Sequence, residues 1–456
     1  MIHKYTQMGH AIVLDVNSGA VHLVDTLAYN MLDYLQPPLA PDMPAALPEQ
    51  MNQPAEKLAE AYSELYQLFV QGLLFSVDDY APYAEQMVLS PVKAMCLNVS
   101  HDCNLRCAYC FAGKGNYGGE NMVMTTETGK KAIDFLIEQS GDRQFLEVDF
   151  FGGEPLMNFD AVQEILAYAQ AEAAKKGKEF RFTITTNGML LDDNKIDYIN
   201  THMDNVVLSL DGRRTVTDKV RTRVNGAGCY DIVVPKFQKL VERRGDKEYY
   251  VRGTFTKWNI DFTEDVKAME ALGFDQISVE PVVAGPQEAY ALTDADLPAI
   301  FAEYEGLAQL LVDKEKAGSF VNFFHFMLDL DQGPCAIKRL RGCGCGNEYV
   351  AITPDGDIYP CHQFIGQPQW KMGSVYDGSF DLSMKERFAH ATVYDKATCK
   401  DCWAKFYCSG GCNANNALYK GDVLSPLELS CELEKKRLEC AIAIQAELAV
   451  SMATEV

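Results

Sequence analysis

The sequence predicts an α/β protein centred on a parallel sheet wrapped by helices: a partial barrel of six β/α units, with a small winged-helix-like module before it and a cysteine-rich region after it. Three observations carry this expectation. From about residue 90 to 330, apolar runs rich in β-branched residues alternate with stretches of helical periodicity. Residues 1 to about 85 read as a hairpin plus helices and hold no cysteine. Ten of the 15 cysteines follow residue 331, among many glycines. The expected units are therefore 1–88, 89–330 and 331–456, a division that suits roughly 150 residues per domain.

In the first unit, Ala11 to Val16 and Ala20 to Val24 flank Asn17-Ser18-Gly19, a hairpin signal. A helix is expected from Thr26 to Tyr34. Pro37, Pro38, Pro41 and Pro44 then interrupt regular structure. Leu58, Ala61, Leu65 and Leu68 give Glu56 to Val70 a helical stripe, which Gly72 ends. Leu73 to Phe75 is expected to add one more strand.

In the second unit the expected strands are Ala94–Val99, Leu146–Phe151, Phe180–Thr185, Val206–Leu210, Tyr249–Phe255 and Gln276–Glu280. Helices are expected between them, at Thr126–Gln139, Phe159–Lys175 and Tyr230–Glu242 among others. Six units suit an open barrel better than a closed one, and active sites of such folds sit at the C-terminal strand ends. In the third unit only Leu427 to Met452 reads as a long helix; small cysteine-dense regions rely on metals or disulfides.

Composition narrows the function. Hydrophobic residues make up 48% of the chain, yet no apolar run reaches membrane-spanning length, and the start MIHKYTQMGH lacks signal-peptide order. These features predict a cytoplasmic protein with no membrane association. A formal net charge of −23 argues against nucleic acid as a partner. In a reducing compartment, clustered cysteines read first as metal ligands.

Cys103-x3-Cys107-x2-Cys110 follows the first expected strand. Three thiolates on one loop can hold three irons of a cubane and leave the fourth open. A zinc site completed by nearby His101 is the competing reading. With Tyr109 in the aromatic position, the triplet resembles the signature of the radical S-adenosylmethionine (radical SAM) superfamily. Other segments match that family in order: Gly152-Gly153-Glu154-Pro155 after the second strand, Thr185-Thr186-Asn187-Gly188 at the end of the third, and Ser209-Leu210-Asp211-Gly212 at the end of the fourth. Arg221 lies twelve positions beyond Ser209. The resemblance implies that Cys103, Cys107 and Cys110 hold a catalytic [4Fe–4S] cluster. It also implies that Tyr109, Gly152, Gly153, Glu154, Thr185, Asn187, Ser209, Asp211 and Arg221 bind SAM. Carboxylate suits the ligand's amine and guanidinium its carboxylate. Each short motif has a plainer reading alone: a strand-exit turn, a capped turn, a solvated charge.

Cys343, Gly356-x4-Cys361, Cys399-x2-Cys402-x5-Cys408-x3-Cys412 and Cys431 resemble the SPASM domain, which carries two auxiliary [4Fe–4S] clusters. By that resemblance Cys399, Cys402, Cys408 and Cys431 hold the outer cluster, and Cys343, Cys361 and Cys412 the inner one. Its fourth ligand stays open between Cys335, Cys345 and a substrate thiolate. Structural zinc is the alternative for the whole field. Cys96, Cys229 and Cys440 fit no cluster and read as buried thiols.

The opening IHKYTQMGHAIVLDVNSGAVHLVD, the run Arg252 to Lys257 and the segment 342–366 resemble maturases of SCIFF (six cysteines in forty-five) peptides. The resemblance implies a leader-bearing, cysteine-rich precursor peptide as partner, bound by strand addition to the N-terminal module. It also implies a flavodoxin- or ferredoxin-like electron donor and three [4Fe–4S] clusters with SAM. The implied product is a thioether between a cysteine sulfur and an α-carbon, made through a 5′-deoxyadenosyl radical. Another SPASM activity, such as anaerobic sulfatase maturation, and a non-catalytic metal scaffold for a peptide are the alternatives. No residue is required as a general base; His362 is expected to be a hydrogen-bonded histidine behind Cys361.

Overall fold

The computed structural model describes residues 1–85, 89–330 and 335–454. Both expected unit boundaries, 88/89 and 330/331, fall at stretches outside the described residues.

The N-terminal module is a three-stranded antiparallel sheet in chain order, β1 (Ile2–Gln7), β2 (His10–Asp15) and β3 (Val21–Val24). Asp15 shapes the turn after β2, accepting from the backbone of Ser18 and Ser76 at 3.0 Å each. Helix α1 (Thr26–Met31) starts on Asp25, whose carboxylate accepts from the Ala28 amide, an N-cap bond. Helix α2 (Ala55–Val70) buries Leu58, Ala61, Tyr62 and Leu65 beside Val13 and Met31. No strand forms at Leu73–Phe75. Phe75 takes a left-handed conformation (φ 53°), Leu74 drops into the core, and the Leu73 carbonyl bonds the His22 ring. Strand β1, by contrast, had no local signal, because its HKYT run is mostly polar.

The central unit follows the expected alternation. Strands β4 (Ala94–Ser100), β5 (Phe145–Gly152), β6 (Glu179–Thr186), β7 (Asn205–Ser209), β8 (Tyr249–Phe255) and β9 (Gln276–Pro281) lie side by side in chain order, all parallel. This monotonic order without reversal is the order of a barrel. Helices α3 (Thr126–Gln139), α4 (Phe159–Lys176), α5 (Asp193–His202), α6 (Tyr230–Arg244), α7 (Phe262–Ala271) and α8 (Leu297–Lys316) cover its outside, burying Ile133, Ile165, Phe237 and Tyr304 against the sheet. Strand β10 (Asn322–Phe323) extends one edge, in parallel with β9.

The cysteine-rich region continues the same sheet. Strand β11 (Tyr349–Ile352) pairs in parallel with β4, and β12 (Asp357–Tyr359), β13 (Gly373–Ser374) and β14 (Ser379–Phe380) follow antiparallel. The barrel is thus open, with β10 and β14 as edges among the described residues. Helix α9 (Glu428–Thr454) closes the fold against α8 and β1, where His3, Tyr5 and His10 meet Glu439 and Glu447. His3 also stacks on Trp403, ring centroids 3.8 Å apart. Among the described residues no helix is long and apolar enough to cross a membrane.

Candidate active site

The loop after β4 carries Cys103, Cys107 and Cys110. Leu105–Cys107 forms a short antiparallel ladder with Arg221–Arg223, placing Cys107 directly opposite Arg221. Backbone pairing therefore delivers the arginine to the cysteine loop, its Nη1 4.0 Å from the Cys107 sulfur. The Arg221 guanidinium grips Asp211 through Nε at 2.7 Å and Nη2 at 3.2 Å. The Tyr109 hydroxyl donates to the same carboxylate at 2.8 Å, and the guanidinium lies over its ring. The Thr254 amide adds a further bond, at 2.8 Å. Asp211, its side chain fully buried, is thus the anchor of Tyr109 and Arg221.

Gly152 and Gly153 are needed for a reason the motif alone did not show. A Cβ on Gly152 (φ +127°) would lie 2.3 Å from the Ser100 carbonyl oxygen, and one on Gly153 2.2 Å from that of Asp102. The glycines let β5 close on the cysteine loop, with Gly153 and Glu154 amides donating to those two carbonyls at 2.7 and 2.9 Å. Glu154 then reaches across to β6. It accepts from Thr186 Oγ1 at 2.7 Å, the Asn187 amide at 2.8 Å and the Leu156 amide at 3.1 Å. Burial pushes its carboxyl up to about 7 despite these donors. Asn187 Nδ2 points to Asn104 at 2.8 Å and to the Cys103 sulfur at 3.6 Å.

These groups face one cavity of about 290 Å³ at the C-terminal strand ends. Cys103, Cys107, Tyr109, Cys110, Gly152, Gly153, Glu154, Thr185, Asn187, Ser209 and Arg221 all line it; Asp211 stands behind. Three thiols, a carboxylate and a guanidinium around one void form a donor set that fits an iron–sulfur cluster with one open iron beside an amino-acid ligand. Burial raises all three thiols, Cys103 to about 12, so loading a cluster must displace their protons. His101 does not join them: it lines a separate cavity beside Tyr117, with its Nε2 buried and unpartnered among the described residues.

The C-terminal cysteines fall into two groups. The thiols of Cys343, Cys345, Cys361 and Cys412 act on one another electrostatically, and Cys345 hydrogen-bonds Cys361. Cys399, Cys402, Cys408 and Cys431 form the second group, lining a cavity of about 380 Å³. Exposed Cys335 joins neither among the described residues. No three His, Cys, Asp or Glu side chains among the described residues converge closely enough to hold a single ion. Cys96, Cys229 and Cys440 are buried, as expected.

The central cavity also takes lining from the inner cysteine group's neighbours: His362 next to Cys361, and Asn415 and Tyr419 beyond Cys412. His362 departs from expectation. Its ring stacks on Phe151, and its buried Nδ1 has no hydrogen-bond partner among the described residues. Sequence reasoning missed a further wall. Arg252 on β8 pairs with Glu280 on β9, both in the cavity. His325 Nε2 lies 3.2 Å from Ser278 Oγ and 3.9 Å from Glu280, while Arg437 of α9 donates to its Nδ1 at 2.7 Å. Arginine cannot accept, so Nε2 carries the ring proton and donates to Ser278 Oγ, with the Glu280 carboxylate just beyond hydrogen-bond reach. Burial, reinforced by Arg437, pushes His325 down to about 3 and keeps it neutral. Burial works against the Glu280 carboxylate, yet Arg252, aided by Arg437, holds it below its ordinary range.

Comparison with known proteins agrees with this geometry. The Radical SAM superfamily profile matches residues 97–279, and that of the SPASM iron–sulfur cluster-binding domain residues 343–403. The chain is 30% identical to the radical SAM cyclopropyl synthase TigE of Paramaledivibacter caminithermalis over 371 residues, 75% of this chain and 72% of that one. It is 26% identical to a serine-type anaerobic sulfatase-maturating enzyme of Bacteroides thetaiotaomicron, over 77% of this chain and 89% of that one. It is also 26% identical to the subtilosin biosynthesis protein AlbA of Bacillus subtilis, over 69% of this chain and 65% of that one. In fold it is similar to anSMEcpe with bound AdoMet (TM-score 0.67, 18% identity, 80% of this chain and 96% of that one). It is likewise similar to Streptococcus suis SuiB bound to S-adenosylmethionine (TM-score 0.53, 18% identity, 93% and 97%). Identity with TigE across most of both chains, together with the two matched domains, shows that this chain belongs to the radical SAM superfamily, in the branch whose members carry a C-terminal SPASM domain.

Proposed function

We propose that the chain is a radical SAM/SPASM peptide maturase that joins a cysteine sulfur to an α-carbon of a cysteine-rich precursor peptide. The observation that carries this reading is the shared cavity: the Cys103, Cys107 and Cys110 loop and the neighbours of the inner cysteine group open onto the same space. A peptide held there would meet both. Relatives named for subtilosin biosynthesis and sulfatase maturation, and SuiB, solved with its precursor peptide SuiA, support a peptide substrate.

In this reading Cys103, Cys107 and Cys110 would hold the SAM-binding cluster. Glu154 would take the amine of SAM, and Arg221, steadied by Asp211, its carboxylate. Tyr109, Gly152, Gly153, Thr185, Asn187 and Ser209 would frame the rest. Bound there, SAM and its reduced cluster would supply a 5′-deoxyadenosyl radical to take one hydrogen atom from the peptide α-carbon; as the sulfur bonds to that carbon, the thiol proton would leave to solvent and the surplus electron would pass to an auxiliary cluster. Cys343, Cys345, Cys361 and Cys412 would hold the inner auxiliary cluster, and Cys399, Cys402, Cys408 and Cys431 the outer one. Units 1–88, 89–330 and 331–456 would serve recognition, radical generation and the auxiliary clusters. The β1–β3 sheet would receive the precursor's leader as an added strand. A flavodoxin- or ferredoxin-like protein would supply the electron, in the cytoplasm, where cysteines stay reduced.

The test is mass spectrometry of the precursor after anaerobic turnover with reconstituted protein, SAM and reductant. The expected product has lost two hydrogens and one alkylatable thiol. Loss of two hydrogens with every thiol still reactive would instead indicate a carbon–carbon bond. An aldehyde would indicate formylglycine chemistry. Either result refutes the thioether.

A further inference from the structure

Lys396 is an unusual lysine. Its side chain is fully buried, and its ammonium donates to the Gly410 carbonyl at 2.8 Å and to Asn413 Oδ1 at 2.9 Å. Neither partner carries charge. Its neighbour in the same region, Lys405, is nearly as buried but has Asp78 at 2.7 Å. Burial pulls the Lys396 ammonium below the ordinary lysine range, and the ionisable groups that oppose this are four cysteines: Cys399 and Cys408 of the outer group, Cys412 and Cys343 of the inner. An ammonium buried without a carboxylate is costly. The fold nonetheless reserves its place: Gly410 sits at φ +83°, and a Cβ there would lie 2.9 Å from the ammonium nitrogen. Gly410 and Asn413 themselves belong to the segment between Cys408 and Cys412 and its immediate continuation, so the loop that ligates both groups also wraps the lysine.

A cation with no acidic partner among the described residues, set between two groups of four thiols, has its natural counter-charge in the thiolates. Four thiolates make a ligated cubane net negative, and one further electron makes it more so. A fixed positive charge nearby offsets that. We infer that Lys396 is the shared counter-cation of the two auxiliary clusters and raises the reduction potential of both, which rests on the reading that the two cysteine groups hold clusters. Lys396 is a positioning residue in this scheme: it touches neither SAM nor peptide but sets how readily the far end of the site accepts an electron.

The test uses the full chain with Cys103, Cys107 and Cys110 replaced by alanine, so that only the auxiliary clusters report. Reconstituted protein is titrated with reductant and followed by electron paramagnetic resonance. Lys396→Met is expected to disfavour reduction of both clusters about tenfold, a midpoint shift of about 59 mV for one electron. Lys396→Arg keeps the charge and is expected to stay near the parent. If the methionine variant loads no auxiliary clusters while the arginine variant loads them at parental potentials, the counter-charge role stands. Unchanged potentials in a fully loaded Lys396→Met protein overturn it. So does a shift in one cluster only, an equal shift in both variants, or failure of both variants to load. A parent that binds no auxiliary iron overturns the cluster reading itself, and this inference with it.

Discussion

Glu154 gives the most direct handle on the proposed SAM site. Burial holds its carboxyl near 7, although Thr186, Asn187 and Leu156 all donate to it. The folded value lies above the unfolded one, so this group's contribution to stability is greatest below the unfolded value near 4.5 and is lost as pH rises through 7. The ionised carboxylate then costs the ligand-free fold about 3 kcal/mol. A ligand amine beside Glu154 relieves that cost and prefers the ionised form. At pH 6 about a tenth of the molecules carry the carboxylate, and at pH 8 about nine tenths, by simple titration about 7. SAM affinity should therefore fall about tenfold from pH 8 to pH 6 through this group alone. The SAM amine titrates too, so the comparison needs Glu154→Gln, which keeps the shape and removes the ionisation. Equilibrium dialysis of labelled SAM on anaerobically reconstituted protein measures both slopes. The wild type should exceed the glutamine variant by about tenfold in its pH 8 to pH 6 ratio. Equal slopes would refute a carboxylate at the SAM amine.

Other expectations follow from the same geometry. Asp211→Asn strands the buried Arg221, and Arg221→Met strands Asp211; each should destabilise the barrel by about 3 kcal/mol, while the double variant recovers most of that, read as a coupling energy in chemical denaturation. Cys345→Ala should cost one cluster's iron and Cys335→Ala none, out of about twelve irons for three cubanes, because only Cys345 lies among the inner cysteines. Trp403→Ala removes the His3 stack and should loosen the N-terminal module by about 1 kcal/mol, seen as faster limited proteolysis between residues 1 and 85.

Much of the fold was legible because barrel strands buried on both faces are apolar runs. Ala94–Ser100 is buried throughout, and Tyr249–Phe255 and Thr126–Gln139 form over the residues their patterns indicate. Local signals failed where partners decide. Leu73–Phe75 has strand composition, but Phe75 turns left-handed and Leu74 drops into the core, so the segment caps the core instead of pairing. The parallel pairing of Tyr349–Ile352 with Ala94–Leu97 joins segments over 250 residues apart and has no local trace. The site divides the same way. Cysteine and glycine spacing marked the loops that surround the cavity. Glu280, His325 and Arg437 come from three separate elements and carry no motif, Arg252 was marked only as the start of the run to Lys257 and not as a cavity wall, and Lys396 looks like any lysine until its burial is known. The SLDG turn marks Asp211 in the sequence, but only the fold brings Tyr109, Arg221 and Thr254 onto its carboxylate.

Helix α9 touches every part of the molecule. Cys431 faces the outer cysteine group, Arg437 holds His325 at the cavity wall, and Lys436, Glu439 and Glu447 bind Gln7, His3, Tyr5 and His10 of the N-terminal sheet. A helix that serves three equilibria makes them thermodynamically linked. If assembly of iron on Cys431 firms the helix, it firms the docking of the N-terminal sheet by the same free energy, and a peptide strand added to that sheet returns the favour. Loading of the outer cysteine group would then govern how tightly a precursor is held, so that a chain lacking its outer cluster would release its peptide unreacted.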